Sequence, residues 1–282
     1  MSLLLCSDPR VFYELGCSTT PKTPFQSLRL SKYRPSSTPQ LFSKHITNSH
    51  PAWALGSFVI TVCRSRGIVA FPFKQRKIMK LYTFPSAPNP RRVTIFAAEK
   101  SLHLDVVNVD LRGGETKTPA FLAKNPSGKI PVLELDDGTC ISETVAICRY
   151  LESLAPEPNL FGHDPLETAL IEAHHRHIEF ELHSSIGAAW VNGPIVAAAG
   201  LVEPIEAQRL RGAGLTRKYY ERMNDELSTR DYLAGDRFTV ADISCLCMMD
   251  FAAAMVDLKP DAALTNLWAW HARVSQRPSV TG

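Results

Sequence analysis

The sequence predicts an α/β domain followed by an all-helical domain, with a basic extension ahead of both. Three observations carry this. Residues 79–156 alternate short apolar strand patterns with helix patterns, and the last two strands lie close enough for a hairpin. From Leu166 onward no strand pattern occurs. Net charge also changes near residue 79. Residues 1–78 hold eleven Lys/Arg against only Asp8 and Glu14, whereas the remainder holds twenty Lys/Arg against twenty-six acids.

The expected elements follow in order. Residues 80–84 (Lys-Leu-Tyr-Thr-Phe) read as a first strand, with Tyr82 in its core. The turn Pro85-Ser86-Ala87-Pro88-Asn89-Pro90 leads into a helix with Asn89 as N-cap and Pro90 at the first helical position. That helix runs to Lys100, with Val93, Phe96 and Ala97 on one face. Residues 104–109 form a second strand, and 116–123 a short helix capped by Thr118 with Pro119 first. Residues 132–135 and 139–141 make a hairpin across Asp136-Asp137-Gly138, and a third helix covers 143–154. Parallel strands joined by a helix, then a hairpin and a helix, describe a thioredoxin-like domain.

Prolines at 156, 158 and 165 mark a linker over 157–164. Domain boundaries are therefore expected at 79–156 and 165–282. Helices are expected near 165–190, 204–228, 239–257 and 264–276. The third of these opens on a capping box, Thr239 with Asp242, stapled by Phe238 and Ile243.

Composition narrows the function classes. The chain has 282 residues, 45 % apolar and 21 % charged, with a net charge of +3. That is ample for two ordinary cores. The acidic balance after residue 78 argues against nucleic acid as a partner. The longest apolar stretch, residues 52–62, is far short of the ~20 residues a bilayer span needs, so no membrane partner is expected. Seven scattered cysteines show neither metal spacing nor a disulfide framework, which suits a reducing, cytoplasmic setting. Residues 1–78 show no steady period and are expected to be largely disordered. Their composition fits an organelle transit peptide. The alternative is that Met79 is the true start. The second reading is preferred, because no amphipathic Arg helix stands out.

Two motifs concentrate the chemistry. Lys129-Ile130-Pro131-Val132 enters a strand, and a proline there belongs at the strand's first residue or edge. With a cis bond, the Ile130 amide and carbonyl would point outward, free to pair with an extended ligand backbone. Ser142-Glu143-Thr144 opens the next helix, where free amides attract a carboxylate. Together they can bind a small zwitterionic peptide.

The order of elements, the Ile-Pro turn and the Glu-Thr pair resemble the glutathione transferase family over residues 79–280. The Thr239 capping box is a second match to that family. The resemblance implies that the cis-proline turn holds the cysteinyl part of glutathione and that Glu143 and Thr144 hold its γ-glutamyl end. Lys117 and Lys129 match lysines that bind the glycyl carboxylate. Family members place a catalytic Tyr, Ser or Cys where the first strand meets the first helix. Here no cysteine lies in that turn, and the tau-like alignment puts Ala87 at the catalytic serine. The nu-like pattern Thr-Pro-Asn-Gly fits better and puts Asn89 at the active-site asparagine. An amide NH₂ can donate to a thiolate. Asn89 as a pure helix cap and Ser86 as the donor hydroxyl remain open alternatives.

The implied function is activation of the glutathione thiolate for attack on a small, apolar electrophile, by a homodimer packed through the helix at 165–190. Glutathione serves as substrate and no metal is expected. A glutathione-dependent disulfide reductase and a non-catalytic interaction module are the rivals. His174, His175, His177 and His183 resemble a metal cluster, but no further ligands complete a zinc site, so ordinary surface and interface histidines are expected. Met248, Met249, Phe251 and Met255 are expected in the core, some of them lining the co-substrate pocket.

Overall fold

The computed structural model describes residues 59–64, 67–72 and 79–281. Expectations for residues 1–58, 65–66 and 73–78, including targeting, lie outside the described residues. The chain divides into two units, Met1–Arg76 and Lys77–Gly282.

In the first unit, β1 (Val59–Arg64) pairs antiparallel with β2 (Gly67–Pro72), Val59 opposite Pro72 and Arg64 opposite Gly67. The sequence reading named no element here. Val59-Ile60-Thr61-Val62 and Ile68-Val69 are β-branched runs, so strand propensity is high although the alternation of a half-buried strand is missing.

The second unit combines a thioredoxin-like domain with a helical one. Its four-stranded sheet has the order β4-β3-β5-β6. β3 (Lys80–Thr83) runs parallel to β4 (Asp105–Asn108), and α1 (Pro88–Glu99) is the crossover between them. β5 (Val132–Glu134) is antiparallel to β3, and β6 (Cys140–Ser142) antiparallel to β5. Side chains alternate across the sheet. Leu81 and Leu133 face the main core with Val93, Phe96, Ile147 and Leu151. Tyr82 and Val132 face a smaller cluster with Val109 and Phe121. Tyr82 donates to Glu134 at 2.8 Å.

α2 (Pro119–Leu122) starts as expected, with the Thr118 hydroxyl accepting the Phe121 amide at 3.3 Å. A 3₁₀ turn, Glu115–Lys117, precedes it. α3 is Thr144–Leu154. Beyond α3, the fully buried Lys100 ammonium ties the connecting segment down. It pairs with Glu152 at 2.5 Å and donates to the Pro156 carbonyl at 3.3 Å and to that of Pro158.

The helical part comprises α4 (Pro165–His177), α5 (Ser184–Val191), α6 (Pro194–Ala198), α7 (Glu206–Glu226), α8 (Val240–Phe251), α9 (Thr265–Ser275) and α10 (Pro278–Thr281). The expected single helix near 165–190 is continuous but contains a π segment, Ile178–His183, and α8 continues into another, Ala252–Val256. α8 is the central helix, buried from Val240 to Met249. Its capping box forms, with Asp242 accepting the Thr239 amide at 2.9 Å. No helix among the described residues is long and apolar enough to cross a membrane.

Candidate active site

Strand register brings the motifs together. Val132 lies opposite Ser142 on one side and Tyr82 on the other. The residues just before β5, Ile130 and Pro131, therefore leave the sheet at the same end as Glu143 and Thr144 after β6. The turn after β3 leaves there too. Neighbouring strands are about 4.8 Å apart, so these three segments share one small edge. β4 ends on the same side, since Thr83 lies opposite Asn108, and the chain then reaches Lys117.

The first segment corrects the expected helix start. α1 begins at Pro88, with Ala87 as N-cap; Asn89 is the second helical residue and Pro90 the third. Asn89 is therefore not the cap, and no side chain caps this helix. The Ala87 amide closes a turn onto the Phe84 carbonyl at 3.2 Å, and Ser86 sits exposed at φ 70. A helix start usually offers several free amides. Pro88 and Pro90 carry none, and Arg91 donates to the Ala87 carbonyl at 3.4 Å. Asn89, half-buried, is left as the main donor of the first turn. Its Oδ1 faces Arg92 Nη1 at 3.4 Å. A guanidinium only donates, so the amide NH₂ is turned the other way.

The second segment carries the cis Ile130–Pro131 bond. Buried Asn125 shapes the loop before it, donating to the Lys129 carbonyl at 2.7 Å and accepting from the Ser127 amide and hydroxyl at 3.1 and 2.9 Å. Gly128 has φ 61, and a Cβ there would lie 3.0 Å from both the Thr116 carbonyl and Lys117 Nζ. Lys117 is thus held against the loop that carries Lys129. Both lysines are exposed, and neither has an ion pair among the described residues. The Ile130 amide and carbonyl likewise have no partner there.

In the third segment, α3 begins at Thr144, one residue later than expected, which makes Glu143 its N-cap; Glu143 holds φ 67. A residue that carries a Cβ avoids positive φ unless its surroundings impose it. The Glu143 carboxylate is exposed and has no partner among the described residues. Thr144, by contrast, is buried.

Beneath the edge, the helical part grips α1 through charged residues that sequence reading missed. Arg91 pairs with Asp250 at 2.6 Å, and Asp250 with His271 at 2.7 Å. Burial raises the Asp250 pKa, but hydrogen bonds from His271 and Arg91 outweigh it and hold the carboxyl below its ordinary value. Arg92 Nη2 reaches His175 Nε2 at 3.0 Å and Glu179 at 3.2 Å. Ser244 Oγ lies 2.8 Å from the same imidazole nitrogen. An arginine three residues after Asn89 was the available signal, although its burial was not legible.

Of the four clustered histidines, His174 and His177 share a helix face with rings 6.3 Å apart, and no group of three or more His, Cys, Asp or Glu among the described residues could hold a metal ion. His175 is fully buried, and burial followed by the Arg92 charge pushes its pKa down to about 3. Burial lowers His174 and His183 as well. Unfolded histidine titrates near ~6.5, so below that pH the unfolded chain binds protons that the folded chain does not. The stabilisation is fully present above about pH 6.5 and is lost as pH falls toward about 3. His175 alone contributes up to about 1.4 kcal/mol per pH unit across that window. Urea unfolding at about pH 7 and pH 5.5 checks this; His175→Gln should flatten the dependence, and equal stability at both values in the unmodified chain would contradict it.

A cavity of about 300 Å³ opens in the helical part, lined by Trp190, Ile195, Met255, Val256 and Leu258 among others. Trp190 packs edge-on to Phe251 at 5.2 Å, next to the Asp250 that holds α1. Of the methionines expected in the core, Met248 and Met249 are buried and Met255 lines the cavity.

Residues 87–154 match the family model "Glutathione S-transferase, N-terminal domain" and residues 189–278 match "Glutathione S-transferase, C-terminal domain". Glutathione S-transferase 2 of Saccharomyces cerevisiae is 38 % identical over 217 residues, covering 73 % of this chain and 90 % of that protein. A solved glutathione S-transferase domain-containing protein of Marinobacter aquaeolei VT8 superposes with a TM-score of 0.66 at 37 % identity, covering 72 % of this chain and all 100 % of the other. A probable elongation factor 1-gamma of Arabidopsis thaliana is 32 % identical over 180 residues, 64 % of this chain but only 42 % of its own length.

Proposed function

The chain belongs to the glutathione S-transferase family, and from that premise we propose that it activates the glutathione thiol for attack on a small, apolar electrophile. The carrying observation is the shared sheet edge, where three segments present unpaired groups of complementary kinds. The Ile130 amide and carbonyl receive the cysteinyl backbone, with Pro131 setting the turn. Glu143 pairs with the γ-glutamyl ammonium, and Thr144 places the start of α3 beside the γ-glutamyl end. Lys117 and Lys129 attract the glycyl carboxylate.

A free thiol is only a few per cent thiolate at pH 7, so the site must favour the anion. Asn89 supplies the donor, its NH₂ facing away from Arg92, and Ser86 is the second candidate in the same turn. The electrophile occupies the cavity beside Trp190 and Met255. This is catalysis by positioning and by stabilisation of sulfur. We further propose a cytoplasmic homodimer packed through the α4–α5 helix and the first domain. Leu166, Leu170 and Phe180 on that helix are 69, 49 and 70 % exposed, which supports it. The domain limits 79–156 and 165–282, joined by 157–164, belong to the same reading.

Glu143→Ala tests the binding half. Loss of a charged hydrogen bond is worth ~1.5–3 kcal/mol, so calorimetry should show glutathione affinity falling about tenfold to a hundredfold with the circular dichroism unchanged. An unaltered dissociation constant refutes the role. A conjugation assay beside a disulfide-reduction assay tests the chemistry. Retention on immobilised glutathione without turnover in either would favour the interaction module, the reading to which the elongation-factor similarity lends support.

A further inference from the structure

Resting on Asn89 as the sulfur's donor, we infer that Arg92 is a positioning residue that holds the Asn89 amide in its donating orientation and couples it to the helical domain. Arg92 lies three residues after Asn89 on α1, and its side chain is 4 % exposed. An arginine so buried needs partners, and the helical domain supplies them. Glu179, in the π segment, accepts from Nη2 at 3.2 Å, and His175 Nε2 accepts from the same nitrogen at 3.0 Å. Ser244 on α8 completes the set through that imidazole nitrogen at 2.8 Å. The other arm of the fork, Nη1, is left for Asn89 Oδ1 at 3.4 Å.

Three features give this contact a role beyond packing. It is the sole hydrogen bond of the Asn89 side chain among the described residues. α1 has no side-chain cap, so nothing else there fixes the amide. A guanidinium also rejects the flipped amide, because two donors would then meet. Arg92 therefore selects the rotamer that presents NH₂ outward, and its charge on Oδ1 polarises that NH₂ into a better donor. The orientation is set by anchors on α4, the π segment and α8, none of them in the thioredoxin-like domain.

The experiment follows the thiolate absorbance of bound glutathione against pH, together with conjugation kinetics. It compares the unmodified chain, Asn89→Ala, Arg92→Gln, Arg92→Lys and the double variant Asn89→Ala with Arg92→Gln. Arg92→Gln should raise the pKa of the bound thiol and lower kcat about tenfold, as for a lost charge-assisted hydrogen bond, with KM for glutathione within about twofold. Arg92→Lys should recover part of the loss. The double variant should match Asn89→Ala alone, because a residue acting through Asn89 has nothing to act on once it is gone.

Additive effects, or an unchanged thiol pKa in folded Arg92→Gln, overturn the inference. If Asn89→Ala itself leaves the thiol pKa unchanged, the reading of Asn89 fails as well, so the two failures are distinguishable. Should Arg92→Gln not fold, Glu179→Gln loosens the same guanidinium. It should shift the thiol pKa upward, and again not in the Asn89→Ala background; no shift would count against the inference.

Discussion

Asp242→Ala should cost the fold about 3–9 kcal/mol, comparable to the whole stability of a marginal domain. The fully buried Asp242 carboxylate accepts from the Leu233 amide at 3.0 Å, the Thr239 amide at 2.9 Å, Trp270 Nε1 at 2.8 Å and the Thr239 hydroxyl at 3.2 Å. Burial pushes its pKa up, and these donors offset only part of that rise. Alanine strands three N–H groups where no water reaches. Each unsatisfied donor costs about 1–3 kcal/mol. They belong to the start of the central helix, the loop before it and α9, so the loss spreads through the helical core. Urea unfolding at neutral pH, followed by circular dichroism, measures it. A cost below about 1 kcal/mol would mean that the donors find other partners.

Asn89→Ala should leave the fold intact and the chemistry crippled. Removing one preorganised donor from a developing or bound anion typically costs about a hundredfold or more in turnover. Here the dependence is sharpened by sequence, because Pro88 and Pro90 remove the amides that could substitute. The bound thiol should titrate at higher pH and conjugation should slow, while Ser86→Ala should do less. Ser86 is exposed and has no partner among the described residues to fix its hydroxyl. The reverse ranking transfers the role to Ser86. Full activity in both variants would leave the sulfur to backbone groups, above all the Asn89 amide.

What the sequence disclosed, and what it withheld, follows from the range over which each signal acts. Thr118-Pro119 and the Thr239–Asp242 box are local chemistries, and both formed where the residues placed them. The start of α1 is also local, but the chain offers it twice: Ala87-Pro88 and Asn89-Pro90 both put proline at a first helical position. Asn89 looked like the better cap, yet the helix begins at Pro88. α6 is five residues long, too short to show a period. The π segments add a residue to a turn without any compositional mark. Arg92 and His175 are polar residues buried by one another and by Glu179 and Ser244, residues up to about 150 positions away in the chain. The sheet edge that brings the Ile130–Pro131 turn and Glu143 together was legible because strand order followed from two short patterns. The charged grip beneath it was not, because it exists only once two domains meet.

The paired prolines at the start of α1 have a consequence for what else can enter the site. A helix beginning that is rich in amides is a general trap for oxyanions, and phosphate and sulfate settle there readily. This one lacks that cradle. A carboxamide facing a single sulfur atom offers little to a tetrahedral ion that needs several donors at once. On the proposed reading, the first turn of α1 offers an inorganic anion few donors, and the thiol arrives there through recognition of the peptide attached to it.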